Sequence, residues 1–111
     1  MRAIVTFFGV LFMSACSGIL QTASISEAYK KYESQQYRQT LTLIARAENA
    51  KSVAPETKAE LTFLKAKTYE EIGQTDKAMA LYFYLKEQHR GSQYSYLANQ
   101  KLEKMKINSA L

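Results

Sequence analysis

The chain has 111 residues, which is enough for one small domain and too few for two. It carries 15 Lys and Arg residues, 10 Asp and Glu residues and a single cysteine. The basic residues alternate with acidic ones and form no block of five or six like charges, so we predict no nucleic-acid partner.

The amino-terminal part of the chain differs from the rest. Arg2 is the only charged residue in residues 1–15, and Ala3–Met13 is an apolar run of eleven residues. Eleven residues are too few to span a bilayer as a helix, but they suit the core of an export signal. An unpaired thiol is a liability in an oxidising compartment, so the position of Cys16 directly after this run calls for an explanation.

The end of the run, Met13–Cys16, resembles the lipobox of bacterial lipoproteins, with methionine where leucine is usual. The resemblance implies that residues 1–15 are a removed signal peptide and that Cys16 carries the lipid, including palmitate. Ser17 in place of aspartate implies sorting to the outer membrane. The alternative is an ordinary secretory signal or a short membrane anchor, in which Cys16 has no role.

The residues that follow the cysteine are small and polar, which predicts that residues 16–24 form a lipidated cysteine and a tether. Ser24 and Glu27 fit a capping box, which predicts that a first helix begins at about Ile25. The polar residues 34–36 are expected to end it.

Start and stop signals divide the following chain into four more helices. Pro55 suits the first turn of a helix, and Gly73 suits the left-handed residue that ends one. Thr75 is expected to cap the next helix, with Asp76 complementing the helix dipole. The predicted spans are residues 37 to about 50, 55–72, 76–90 and 93 to about 105.

The last two of these helices meet at a glycine. Gly91 is expected to end the fourth helix, whose last turn carries His89 and Arg90, and Ser92 to cap the fifth. Residues 107–111 are expected to fray. Because no segment alternates like a strand, the predicted fold class is all-α.

The predicted helices on either side of Gly73 form a helical hairpin, and apolar periodicity predicts which of its faces are buried. One set lies before Gly73 and one after it, and we also expect Tyr96 in the core. The first set is Leu61, Leu64, Ala66, Thr68, Tyr69 and Ile72, and the second is Ala78, Leu81, Tyr82 and Leu85. Since Tyr82, Phe83 and Tyr84 are consecutive, at least one of the latter two should be exposed.

The first two predicted helices form another hairpin. The two hairpins repeat with a period of 38 residues. In this register, three small or core residues of the first hairpin occupy positions equivalent to three of the second: Ala28 to Ala66, Thr40 to Ala78, and Ile44 to Tyr82. Sliding the first helix by one residue would instead pair Tyr32 with Tyr69. The sequence leaves both registers open.

The second unit resembles the tetratricopeptide repeat, which places small, aromatic, glycine, alanine and aromatic residues at the spacing of Ala66, Tyr69, Gly73, Ala78 and Tyr82. In the first unit, Tyr37 and Ile44 fit the pattern, but Lys31, Gln35 and Thr40 depart from it. The resemblance implies two helical hairpins and a capping fifth helix over residues 25–106. Any helical bundle with Ala and Tyr on its core faces is the alternative.

The junction between the last two helices, from Gln88 to Tyr94, is also similar to junctions in outer-membrane lipoproteins of β-barrel assembly and in Tol–Pal-associated periplasmic proteins. Arg90 stands where those proteins commonly have proline. This chain is much shorter than they are.

The residues offer little for catalysis. His89 is the only histidine, and at a helix end it is expected to be a cap. With Cys16 lipidated, no nucleophile–histidine pair remains. Glu70 and Glu71 are adjacent, so they point about 100° apart on a helix. We predict no enzyme activity, no cofactor and no metal.

Binding is the remaining function. The tetratricopeptide resemblance implies that the first helix of each hairpin lines a groove for a protein partner. Carried over to this sequence, the groove residues are Tyr29, Tyr32, Glu33, Phe63, Lys67, Glu70 and Glu71. The alternative is that Tyr29 and Phe63 pack into the core while Lys67 and Glu71 form an i,i+4 ion pair.

We therefore expect a lipid-anchored adaptor at the periplasmic face of the outer membrane that binds a protein of a cell-envelope assembly or secretion system. A pilotin-like carrier of a secretin or pilus component, and an accessory subunit of a periplasmic enzyme, are alternatives. Because two repeats are marginal alone, the domain is expected to self-associate or to dock onto a larger assembly.

Overall fold

A computed structural model describes residues 21–110 of the chain, with side chains through residue 106. This part of the chain is all-α and contains no strand, as the sequence predicts. Its helices are α1 (residues 21–33), α2 (Tyr37–Glu48), α3 (Pro55–Ile72), α4 (Thr75–Gln88) and α5 (Gln93–Ala110). The predicted signal peptide, Cys16 and the first part of the tether lie outside the described residues.

The first and last ends of the helical region differ from the prediction. Residues 21–24 are already helical, so Ser24 lies inside α1 and does not cap it, and the tether cannot extend to residue 24. The Gln21 side-chain amide donates to the Ala47 carbonyl oxygen of α2 at 3.4 Å, a contact that helps to hold this early turn. At the other end, α5 continues through Ala110, past residue 105, where the sequence predicts its end.

The turn between α3 and α4 is the one predicted. Gly73 has a φ of 90°, its N–H donates to the Glu70 carbonyl oxygen, and the Gln74 N–H donates to that of Tyr69. This pair of bonds is the Schellman arrangement, which satisfies the last carbonyl groups of a helix. The predicted cap at Thr75 is wrong: Gln74 precedes the helix, with no side-chain cap bond, and Thr75 is its first residue.

The turn between α4 and α5 is also close to its prediction. Gly91 has a φ of 87°, and the Ser92 hydroxyl oxygen accepts from the Tyr94 N–H at 3.1 Å, which is an N-cap bond. However, α4 ends at Gln88, so His89 and Arg90 lie in the turn and not in the last helical turn.

The core consists of two clusters that share α3. One joins α1, α2 and α3, and the other joins α3, α4 and α5. The buried residues of the first are Ala28, Ile44, Ala47, Leu61 and Leu64, and those of the second are Ala59, Ala66, Ala78, Tyr82, Leu85, Ala98 and Leu102. Because α3 is buried on both sides, it packs both hairpins into one unit.

Two predicted core residues are exposed instead. Ile72, in the last turn of α3, is 41% exposed, because the chain turns away directly after it. Tyr96 is 67% exposed, since α5 packs through Ala98 and Leu102 and turns Tyr96 outward. The prediction for the aromatic run is confirmed: Phe83 and Tyr84 are both about half exposed, while Tyr82 is buried.

The 38-residue register is the one that the fold adopts. Ala28 and Ala66, Thr40 and Ala78, and Ile44 and Tyr82 are all fully buried. The resulting pair of helical hairpins with a further helix is compatible with a tetratricopeptide-like arrangement.

Candidate protein-binding face

Three helices, α1, α3 and α5, contribute side chains to one continuous surface. Contacts between α1 and α3 join Tyr29 to Glu60 and Tyr32 to Lys67. Contacts between α3 and α5 join Phe63 to Tyr94 and Glu70 to Lys101. In both pairs of helices the residue numbers increase together, so the three helices run in the same direction.

At one end of the surface, the Tyr29 hydroxyl donates to the Glu60 carboxylate at 2.8 Å. Burial, followed by this hydrogen bond and the charge of Glu60, raises the pKa of Tyr29 well above its ordinary value. Tyr29 is half-buried and also packs against the first core cluster. The suggestion that it contributes to the core is therefore correct for its ring, while its hydroxyl group lies at the surface contact.

In the middle of the surface, the Lys67 ammonium group lies over two aromatic rings. Its nitrogen is 4.9 Å from the centroid of the Tyr32 ring and 5.7 Å from that of Phe63, which are cation–π distances. The alternative of a Lys67–Glu71 ion pair is not what the structure has within residues 21–110. Tyr32 also packs edge-on against Tyr37 of α2, with ring centroids 5.7 Å apart.

Phe63 connects the middle of the surface to the second hairpin. Its ring centroid lies 5.8 Å from that of Tyr82 and 5.8 Å from that of Tyr94. It is half-buried and packs against the second core cluster. Burial, followed by the charge of Glu60, raises the pKa of Tyr94.

Glu70 is the most connected acid of the surface. It accepts a hydrogen bond from the Tyr82 hydroxyl at 2.8 Å and lies 3.4 Å from the Lys101 ammonium nitrogen. Burial first, and then the hydrogen bond to Glu70, raise the pKa of Tyr82 far above its ordinary value. The buried phenol of the repeat pattern is thus satisfied by an acid from the neighbouring helix, as a buried hydroxyl requires.

The structure brings most of the predicted groove residues together. Tyr29, Tyr32, Phe63, Lys67 and Glu70 take part in the contacts above. Glu71 is exposed, and its charge helps to raise the pKa of Tyr32, after the larger effect of burial. Glu33 is exposed one turn after Tyr29, and no contact ties it to the others.

Four further residues belong to this surface: Glu56, Glu60, Tyr94 and Lys101. Glu56 acts on Tyr94 through its charge. The repeat pattern does not point to Tyr94 and Lys101, because it assigns α5 only the role of a cap. One signal was present: Tyr94 precedes the small residue Ala98 by one turn, much as Phe63 precedes Ala66.

We call this surface the aromatic face. Its members are the partly exposed rings and the charged side chains of α1, α3 and α5 that lie beside them. They are Tyr29, Tyr32, Glu33, Glu56, Glu60, Phe63, Lys67, Glu70, Glu71, Tyr94 and Lys101.

The remaining polar contacts lie elsewhere. His89 packs edge-on against the ring of Tyr84, with centroids 5.6 Å apart, and Lys65 pairs with Glu48 at 2.8 Å. Among residues 21–110, no three His, Cys, Asp or Glu side chains are grouped as metal ligands would be. The helices described here include none with both the length and the apolar character to cross a bilayer.

Comparison with known proteins gives no relative. No family model, no curated protein sequence and no solved structure matches the chain.

Proposed function

We propose that this protein is a non-catalytic adaptor that binds a segment of a partner protein on its aromatic face. The observation that carries the proposal is the continuity of this face across α1, α3 and α5. The partly exposed rings of Tyr32, Phe63 and Tyr94 offer apolar area, and the carboxylate and ammonium groups beside them offer polar contacts.

Aromatic side chains are suited to such a role. A tyrosine presents a large apolar ring with a polar tip and has few rotatable bonds, so binding costs it little conformational entropy. Here the rings are already held by hydrogen bonds and ring contacts, for example Tyr29 by Glu60 and Phe63 by Tyr94. A surface ordered in advance loses less entropy when a partner binds.

We assign binding rather than catalysis to this face because several of its polar groups already have partners within the fold. The Tyr29 and Tyr82 hydroxyls are engaged by Glu60 and Glu70, and Lys101 is engaged by Glu70.

The proposal includes a lipid anchor at Cys16 and a location at the periplasmic side of the outer membrane. Its support is the lipobox-like sequence Met13–Cys16, followed by Ser17. Several acyl chains on one cysteine would hold the domain stably at the membrane surface. The partner would then be a component of a cell-envelope assembly or secretion system.

Site-specific photo-crosslinking in intact membranes tests the proposal. A photoreactive residue placed at Glu71, on the aromatic face, should give a discrete crosslinked protein that mass spectrometry can identify. The matched control is Glu103, which is also exposed but lies about half a helical turn from Tyr94 around α5.

The crosslink at position 71 should weaken when Phe63→Ala is added, because this change removes a ring from the middle of the face. Equal crosslinking from positions 71 and 103 would show that the partner binds elsewhere.

A further inference from the structure

We propose that the partner segment bound by the aromatic face is basic, with Lys or Arg side chains next to apolar ones. This inference rests on the proposed function and specifies the chemistry of the partner. It follows from how the charges are distributed over the described residues.

The aromatic face has the opposite net charge to the rest of the domain. Residues 21–110 contain 14 Lys and Arg and 10 Asp and Glu, a net charge of +4. Five of the acids, but only Lys67 and Lys101 of the basic residues, belong to the aromatic face, which therefore has a net charge of −3. The other surfaces carry the remaining 12 basic and five acidic residues, a net charge of +7.

Three acids of the face are unneutralised. Glu33, Glu56 and Glu71 are exposed, and none forms an ion pair with another described residue. Lys101, by contrast, forms an ion pair with Glu70. Carboxylates that the fold leaves without an ion pair can form charge-assisted hydrogen bonds with the ammonium or guanidinium groups of a partner.

The rings also suit cations. Lys67 already lies over Tyr32 and Phe63, which shows that these ring faces accept an ammonium group. The carboxylates make the surroundings of the phenols negative: Glu71 and Glu70 both help to raise the pKa of Tyr32, after burial. An incoming basic segment is attracted by the unpaired carboxylates of the face, while an acidic one is repelled by them.

The charge distribution also orients the approach of the partner. A basic segment is repelled by the other surfaces of the domain and attracted by this one, so long-range electrostatics direct it to the aromatic face. An acidic segment would instead be drawn to the remaining surface, away from the rings.

Three fluorescent peptides test the inference by anisotropy with the mature chain. They share the same Leu and Phe positions and carry Lys, Glu or Ser at the positions between. At an ionic strength of about 50 mM we expect the Lys peptide to bind about tenfold more tightly than the Glu peptide. Raising the ionic strength to about 500 mM should reduce that ratio, because salt screens exposed charges.

A pair of charge-matched variants locates the effect. Glu33→Lys with Glu71→Lys changes the face, while Glu27→Lys with Glu103→Lys changes exposed acids about half a helical turn from Tyr29 and Tyr94. Both variants raise the net charge by four. Only the first should weaken binding of the Lys peptide, by about tenfold or more, and circular dichroism should show that both are folded.

Three results would overturn the inference. They are equal binding of the three peptides, equal weakening by both double variants, and self-association that Glu33→Lys with Glu71→Lys abolishes, which would make a second copy the occupant. The first two leave the proposed function intact if the crosslink at position 71 persists. Loss of that crosslink overturns the proposed function itself.

Discussion

Gln35 has the same backbone conformation as Gly73, 38 residues later in the chain. Its φ is 61°, its N–H donates to the Tyr32 carbonyl oxygen, and the Gln36 N–H donates to that of Lys31. These are the two bonds that end α3 at Gly73. The first hairpin thus forms the turn of the second without the glycine that favours it.

This relationship predicts that Gln35→Gly stabilises the domain. A residue with a Cβ pays about 1 kcal/mol to adopt the left-handed region, and glycine does not. We expect the free energy of unfolding to rise by about 0.5–1 kcal/mol, measured by urea unfolding. The control Gln39→Gly, at an exposed position inside α2, should lower it by about 1 kcal/mol.

The converse change at Gly73 should destabilise the domain. A Cβ built at Gly73 meets no atom within 4 Å, so the cost of Gly73→Ala is conformational rather than steric. We expect a loss of about 1 kcal/mol in the same unfolding experiment. An unchanged midpoint would contradict the assignment of a strained turn at this position.

Close packing around α3 predicts the effect of enlarging Ala66. This residue is fully buried in the second core cluster, where additional methyl groups have no space. Ala66→Leu should destabilise the domain by about 1–3 kcal/mol in urea unfolding. The control Ala80→Leu, at an exposed position of α4, should change the stability by less than about 0.5 kcal/mol.

Tyr82 and the tyrosines of the aromatic face predict that the domain loses stability in alkali. The pKa values of Tyr29, Tyr32, Tyr82 and Tyr94 are all raised above the ordinary 10.0 in the folded state, with burial as the first cause. Above pH 10 the unfolded chain therefore loses phenolic protons that the folded chain keeps. The unfolded state then binds fewer protons, so the free energy of unfolding falls as pH rises through and above 10.

Tyr82→Phe should reduce this pH dependence. At pH 8 the variant loses the hydrogen bond to Glu70, at a cost of about 1–2 kcal/mol. At pH 11 its disadvantage should shrink, because the wild-type phenol then disfavours folding. Urea midpoints at both pH values measure this, with Tyr96→Phe, at a 67% exposed position, as the control. A disadvantage that does not change with pH would contradict the argument.

The lipid anchor is tested by labelling cells with radioactive palmitate. The wild-type chain should incorporate the label, and Cys16→Ala should lose it, because Cys16 is the only thiol in the chain. Cys16→Ala should also accumulate as an uncleaved precursor. Equal labelling of both would contradict lipidation at this residue.

Local signals were enough to predict most of the fold. Gly73, Gly91 and Ser92 specify backbone conformations and cap bonds that depend on neighbouring residues alone, and the structure has them. Apolar spacing located Leu61, Leu64 and Ala66 in the core for the same reason: helical periodicity is a local property.

The errors arose where packing between helices decides the outcome. Ser24 carries a capping signal, but the helix extends past it and makes a contact with α2. Tyr96 is apolar enough for the core, yet the packing of Ala98 and Leu102 turns it outward.

The site was predicted on α1 and α3, where the repeat supplied positions to compare. The prediction of the site is incomplete on α5, because α5 belongs to no second repeat with which its positions could be compared. The sequence does not point to Glu60 for another reason. Its role is visible only in the hydrogen bond that joins Tyr29 of α1 to Glu60 of α3.

The common direction of α1, α3 and α5 gives the aromatic face a polarity of its own. The peptide dipoles of parallel helices add, so one edge of the face is relatively positive and the opposite edge relatively negative, by about half a charge per helix end. The carboxylates of Glu33, Glu70 and Glu71 lie near the negative edge, at the carboxyl ends of α1 and α3. A helical segment bound across the face along these axes should therefore prefer to run antiparallel to all three, with its amino terminus at that edge.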